Sequence, residues 1–125
     1  MICKMKKDIL NKNDIEKLVE HFYQKVKKEP SISTFFRDDF NWEKHVEVMC
    51  KFWENVVFYT GSYNGNPMSK HIEIHSKKLL TMKDFHLWTK LFNDSVDELY
   101  FGDRADLIKL KAANIATVMQ MQILR

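Results

Sequence analysis

Two histidines, His71 and His75, lie four positions apart in the segment NPMSKHIEIH, which covers residues 66–75. On a helix this spacing brings both imidazoles to one face, because four residues slightly exceed one turn. Pro67 suits the first position of such a helix, where its missing N–H is not needed, and we expect the helix to end near Lys78. The pair is therefore a candidate for binding a metal ion, either directly or within a cofactor.

A zinc site would need more ligands than this pair provides. Structural zinc sites use four ligands, and catalytic sites usually take three from the protein. Ile72 follows His71, so the His-Glu-x-x-His motif of zinc proteases is absent. Glu73 would point away from the face that the histidines share, and the sequence has no Cys-x-x-Cys pair. These observations argue against zinc.

Polar or amphipathic side chains also lie on the apolar faces of other predicted helices. Tyr23 and His45 lie on the apolar stripes of the first two long helices, and Trp88 lies on that of a later helix. Each of these residues alone is more often part of a core, with its polar atom hydrogen-bonded. Their occurrence on separate helices, in a chain with nine Phe and three Trp, favours a common cavity.

A haem group would account for this combination of residues. Haem needs one strong axial ligand, a broad apolar cavity and a few polar donors on the opposite side. A histidine would supply the ligand, and Tyr23, His45 and Trp88 would supply the donors. Further aromatic and methionine side chains would line the cavity: Met49, Phe52, Trp53, Met68 and Phe85. The sequence has no Cys-x-x-Cys-His motif, so such a haem would lack thioether links.

The hydrophobic pattern predicts an all-α protein with five or six helices and no strand of useful length. A stripe of apolar residues from Asn13 predicts a helix that Pro30 stops, and SISTFF fits one further turn. Asn41 is a suitable N-cap for a second long helix that runs to about Tyr59. These helices carry Tyr23 and His45.

Two more helices are expected after the histidine pair. Thr81 and Asp84 resemble a capping box in which Asp replaces the usual Glu or Gln. The stripe from Phe85 to Leu99 carries Trp88, and Gly102 is expected to end that helix. Asp103 is expected to cap the last helix. The packing face of that helix comprises Ala105, Ile108, Ala112, Ile115, Ala116 and Met119.

Length and composition narrow the class of protein. A chain of 125 residues without a linker predicts a single domain, residues 1–125. The net charge of +3 comes from bases scattered among acids, which gives no nucleic-acid patch, and no apolar run could span a membrane. Cys3 and Cys50 make no disulfide framework, and the first residues lack a secretory signal. We therefore expect a cytoplasmic protein with neither nucleic-acid nor membrane partners.

Several segments, in their order and spacing, resemble the truncated haemoglobins of group III. They are HFYQKV (21–26), Phe36, NWEKHVEVMCKFW (41–53), YNGNPMSKH (63–71) and FHLWTKLFNDSVDELY (85–100). No single motif is specific, because a Tyr or a His in a helix is common. The combination is specific, and the resemblance covers about residues 13–121.

The resemblance implies a shortened globin fold, a 2-over-2 sandwich of helices around non-covalent haem b. The proximal iron ligand of the family matches His71, and the distal residues match Tyr23, His45 and Trp88. Phe36 matches the phenylalanine that packs on the haem ring in the family.

The role of His75 stays open. It lies one turn beyond His71 on the same face and cannot reach the same axial position. Three arrangements are compatible with the sequence. His75 lies near the haem edge or a propionate, it is exposed to solvent, or it exchanges roles with His71.

The resemblance also implies reversible binding of O₂, NO and CO, with cyanide and sulfide as ligands of the ferric state. The Tyr23 hydroxyl and the Trp88 indole N–H would strengthen O₂ binding and slow its release. Slow release favours O₂, NO or peroxide chemistry over bulk O₂ transport. His45 is either a third donor or a gate for ligand entry.

Turnover would need help from another protein. The chain carries no flavin or nicotinamide domain, so NO dioxygenase-like or peroxidase-like activity would require an external reductase, and whether the protein is an enzyme stays open. One alternative is a gas-sensing or haem-binding module without turnover. Another is a haem-free helical interaction module.

Overall fold

The structure, a computed structural model, describes residues 6–36, 40–61 and 80–123, and within these ranges all regular structure is helical. The helices are α1 (Lys12–Lys27), α2 (Pro30–Ser33), α3 (Trp42–Phe58), α4 (Met82–Leu99) and α5 (Asp103–Ile123). The predicted all-α fold is confirmed. The helix that we predicted around His71 and His75 lies outside the described residues.

Side chains that accept hydrogen bonds from backbone N–H groups start three of the long helices. Asn11 caps α1 and Asn41 caps α3, each by accepting a hydrogen bond from an N–H in the first turn. Thr81 and Asp84 form the reciprocal capping box at the start of α4, as predicted, with the shorter Asp in place of Glu. Pro30 does more than stop α1, because it is itself the first residue of α2.

The helices pack as two pairs that cross each other. In one pair α1 lies against α3, and in the other α4 lies against α5; α1 also contacts α4, and α3 contacts α5. The buried core forms where the two pairs meet. Its fully buried large side chains are Ile9, Ile15, Leu18, Phe22, Phe92 and Ile108. No helix in the described part of the chain is long and apolar enough to cross a membrane.

The start of α5 differs from the prediction, because its cap comes from the other end of the sequence. Asp103 is the first helical residue, and the carboxylate of Asp8 accepts hydrogen bonds from the backbone N–H groups of Arg104 and Ala105, both at 2.9 Å. Gly102 permits this approach, since a Cβ there would lie 2.6 Å from Asp8 Cγ. Sequence patterns report caps from adjacent residues, so they miss a cap from residue 8.

Candidate functional site

Four aromatic rings surround the imidazole of His45 on the first turns of α3. The ring-centroid distances are 4.8 Å to Tyr23, 5.1 Å to Phe40, 5.9 Å to Phe36 and 6.5 Å to Trp42, all with steep interplanar angles. Tyr23 comes from α1, and the two phenylalanines lie in the connection between α2 and α3. The cluster therefore ties α1, this connection and α3 together at one place.

Tyr23 is a buried residue whose hydroxyl makes no hydrogen bond to another described residue. Only 6% of its surface is exposed, and the rings of Phe22, Trp42 and His45 pack against its ring. Burial, with a smaller contribution from Cys50, raises the pKa of its phenol above the usual value. The hydroxyl is therefore protonated at physiological pH and can donate a hydrogen bond to a ligand.

Phe22 connects Tyr23 to Trp88 through the core. The Phe22 ring lies edge-on to both residues, with centroids 4.8 Å from Tyr23 and 5.7 Å from Trp88. On its other side the Trp88 indole stacks on Phe92 at 5.7 Å, with only 8° between the planes. Rings packed on two sides fix the indole plane, so α4 presents Trp88 at a defined angle to α1.

The predicted cavity residues fall into two groups. Phe36 and Met49 are half-buried and pack on the core near the His45 cluster. Phe52, Trp53 and Phe85 are buried, and the Trp53 ring stacks on Phe92 with centroids 4.8 Å apart. This contact places Trp53 in the interior between α3 and α4. The predicted ligand His71 and the predicted cavity residue Met68 lie outside the described residues.

Comparison with known proteins identifies the family. No family model matches the sequence. The chain is 31% identical over 121 residues to "Group 3 truncated hemoglobin ctb" of Campylobacter jejuni, and the match covers 93% of both chains. The crystal structure of a group III truncated haemoglobin from the same species matches with a TM-score of 0.85, at 30% identity over 95% of each chain.

The chain belongs to the group III truncated haemoglobins. This membership confirms the predicted family and the shortened globin fold. It also implies a haem cofactor and a gas as ligand, so the cluster around His45 can be compared with what a haem pocket requires.

The described residues of this truncated haemoglobin fit one side of a haem pocket. Half-buried apolar side chains, among them Phe36, Met49 and Trp88, pack against the same core cluster as the buried Tyr23. A phenol O–H, an imidazole and an indole N–H are suitable donors to a polar ligand. This donor set differs from that of a metal-ion site, and the described residues contain no group of three or more His, Cys, Asp or Glu that could hold a metal ion.

The sequence analysis missed three rings that shape this site. Phe22, Phe40 and Trp42 touch Tyr23, His45 or Trp88 directly, but nothing in their type indicated more than core packing. Spacing did contain a signal for two of them. Phe22 precedes Tyr23 on the same buried stripe, and Trp42 lies three residues before His45 on the same face of α3.

Cys50 is buried beside the site, and burial makes its thiol unreactive, just as burial keeps the Tyr23 phenol protonated. Burial, followed by the nearby carboxylates of Glu16 and Glu20, raises the pKa of its thiol to about 12. A thiol with that pKa stays protonated at neutral pH and is a poor nucleophile or metal ligand. Cys50 is therefore not a candidate for chemistry at the site, and Tyr23, His45 and Trp88 remain the candidate residues.

Proposed function

We propose that this truncated haemoglobin is a single globin domain, residues 1–125, that binds haem b without covalent links and binds O₂ and related diatomic ligands there. The observation that carries the proposal is Tyr23, a residue only 6% exposed whose ring packs edge-on against His45 and whose hydroxyl makes no hydrogen bond to a described residue. A phenol whose ring is packed among aromatic side chains and whose hydroxyl is not used by the protein is a suitable donor to a ligand.

The family pattern supports the assignment of the residues that would hold the haem. His71 would be the iron ligand, and Phe36, Met49, Phe52, Trp53, Met68 and Phe85 would contact the ring. When bound, haem supplies an iron with one open coordination position for a diatomic ligand. The chain itself would supply the apolar walls, which exclude water, and the donors on the distal side.

The distal donors would control how long a ligand stays. Tyr23 Oη–H and Trp88 Nε1–H each donate one hydrogen bond, and burial keeps the phenol protonated. Donors fixed in position by packing stabilise negative charge on a ligand without having to reorganise. The rings of Phe22 and Phe92 fix the Trp88 plane in this way. Slow release of O₂ is the expected consequence.

Slow release is better suited to O₂, NO or peroxide chemistry than to bulk transport, and we include this preference in the proposal. NO and CO would be further ligands, and cyanide and sulfide would bind the ferric form. Turnover with NO or peroxide would draw electrons from an external reductase in the cytoplasm. His45 would either donate a hydrogen bond to the ligand or control its entry.

Haem titration of the purified apoprotein tests the proposal. The wild-type protein and the His75→Ala variant are expected to develop a Soret band that saturates at one haem per chain. His71→Ala is expected to lose tight binding, because removal of the axial imidazole leaves only the apolar contacts. His86→Ala is a matched control, since His86 is exposed on α4. A wild-type protein without a Soret band would overturn the proposal, and normal uptake by His71→Ala would overturn the ligand assignment.

A further inference from the structure

Trp42 joins three parts of the His45 cluster. It is the first residue of α3, and its indole is half-buried against residues from other segments. The ring centroids lie 4.7 Å from Phe36, 5.1 Å from Phe40 and 6.1 Å from Tyr23. One side chain at the start of α3 thus touches α1 and the connection that precedes α3.

A lysine covers the indole from α1. The Nζ of Lys27, the last residue of α1, lies over the Trp42 ring, 5.0 Å from its centroid. A cation in that position is attracted to the face of the ring, and tryptophan provides the strongest such attraction among the aromatic residues. The pair therefore joins the end of α1 to the start of α3.

His45 depends on this pair because of helix geometry. Trp42 and His45 are three residues apart on one helix, so their side chains lie on the same face, and the rings are 6.5 Å apart. Any rotation of the first turn of α3 would move both rings together. The imidazole also contacts Phe36, Phe40 and Trp42, so these rings limit how it can turn away from Tyr23.

We propose that Trp42, held by Lys27, is a positioning residue that keeps the His45 imidazole against Tyr23. In the haem-bound protein, and therefore resting on the proposed function, the Lys27–Trp42 pair sets the balance between His45 packed beside the ligand and His45 turned away. Neither residue of the pair touches the ligand. Lys27 changes the distal site only through Trp42, and Trp42 changes it only through His45 and Tyr23.

Three variants separate this role from general packing. Lys27→Gln removes the cation but keeps an aliphatic stem, Trp42→Phe keeps a ring, and Trp42→Leu removes it. Lys28→Gln is the matched control, because Lys28 is the next residue, is equally charged and is exposed at the end of α1. Soret absorbance and circular dichroism first verify that each variant is folded and loaded with haem.

The informative readout is the C–O stretching band of the carbon monoxide complex, which reports the polar groups around the ligand. We expect one main band in the wild type and in Lys28→Gln, and a second band in Lys27→Gln and Trp42→Leu. Loss of a cation–π contact should shift the ratio of the two His45 orientations by about two- to fivefold. Trp42→Leu should shift it further, and Trp42→Phe should lie between.

Unchanged bands in both Lys27→Gln and Trp42→Leu would overturn the proposal. If Trp42→Leu does not fold, Lys27→Gln and Trp42→Phe decide the outcome. NMR on the haem-free protein keeps the test independent of haem binding: the contact between the ring protons of His45 and Tyr23 should weaken in Lys27→Gln, and an undiminished contact would refute the positioning role. A wild type without a Soret band would instead contradict the proposed function.

Discussion

Tyr23 and Asp14 lie on the same helix, and their exposed surface fractions are only 6% and 2%. The surroundings of the phenol and of the carboxylate nevertheless differ completely. Asp14 accepts hydrogen bonds from the Leu10 backbone N–H at 2.8 Å and from Lys7 Nζ at 3.0 Å. The Tyr100 hydroxyl donates a hydrogen bond to the backbone carbonyl of Asp14 at 2.9 Å. Tyr23 is surrounded by rings instead.

The difference separates a polar group with a structural role, Asp14, from the group that we propose binds a ligand, Tyr23. At Asp14 the folded chain supplies its own donors, so the group stabilises the protein. The Tyr23 hydroxyl, in contrast, donates no hydrogen bond to another described residue. The contrast makes different predictions for stability and for ligand release.

The largest effect is expected at Asp14. Asp14→Ala removes the acceptor of the partly buried Leu10 N–H and the ion-pair partner of Lys7, which should lower the free energy of unfolding by about 2 kcal/mol. Urea unfolding followed by circular dichroism measures this change. Glu20→Ala, at an exposed position of the same helix, should change it by less than about 0.5 kcal/mol. A loss below about 1 kcal/mol for Asp14→Ala would show that water replaces these contacts.

Tyr23→Phe should change ligand release much more than stability, unlike Asp14→Ala. Since the hydroxyl has no partner among the described residues, its removal should change the free energy of unfolding by less than about 0.5 kcal/mol. O₂ release, followed by stopped-flow spectroscopy, should accelerate about tenfold, as expected when one hydrogen bond of about 1.4 kcal/mol is lost. Tyr100→Phe is the matched control: it should cost about 1 kcal/mol of stability and leave release unchanged. Equal release rates in Tyr23→Phe and wild type would end the distal-donor assignment.

The smallest effect is expected for the pH dependence of stability, to which the carboxylate of Asp8 contributes. Burial by itself raises the pKa of Asp8, but the backbone N–H groups of Arg104, Ala105 and Ile9, with the Arg104 guanidinium, outweigh it and hold the pKa below the usual 3.8. The folded state therefore favours the charged form. This stability is present above about pH 4 and is lost as pH falls through the lowered value.

Urea unfolding between pH 6 and 2.5 tests this dependence. The wild-type free energy of unfolding should decline below about pH 4, and Asp8→Asn should be less stable at pH 6 and decline less steeply. Asp14, whose pKa is also lowered, remains in both proteins and accounts for the residual slope. Parallel curves for the two proteins would exclude a contribution from Asp8.

Local sequence signals were sufficient for most of the fold. Caps predicted the starts of α3 and α4, because Asn41, Thr81 and Asp84 act within one turn of their own helix. The helix ends were predicted less closely, since α4 ends at Leu99 and not at Gly102. The buried face of α5 was predicted from the same periodicity, with Ile115 only partly buried. The cap from Asp8 was missed, because it depends on which distant segment docks.

The candidate site was predicted in part. Inward position and polar character identified Tyr23, His45 and Trp88, and the structure places the first two side by side. The roles of these residues remain predictions. The contacts of Trp42 with Lys27 and Phe36 could not be predicted, because they depend on how the end of α1 and the start of α3 meet in space.

The close approach of Asp8 to Gly102 has a consequence for the order in which the protein folds. Asp8 and the residues that it caps are separated by 96 and 97 positions in a chain of 125 residues, so a loop of about three quarters of the chain must close before the cap exists. Contacts of such long range form late, since the entropy of closure comes first. The first turn of α5 and the segment before α1 should therefore gain protection from hydrogen exchange at the same moment, as one cooperative unit.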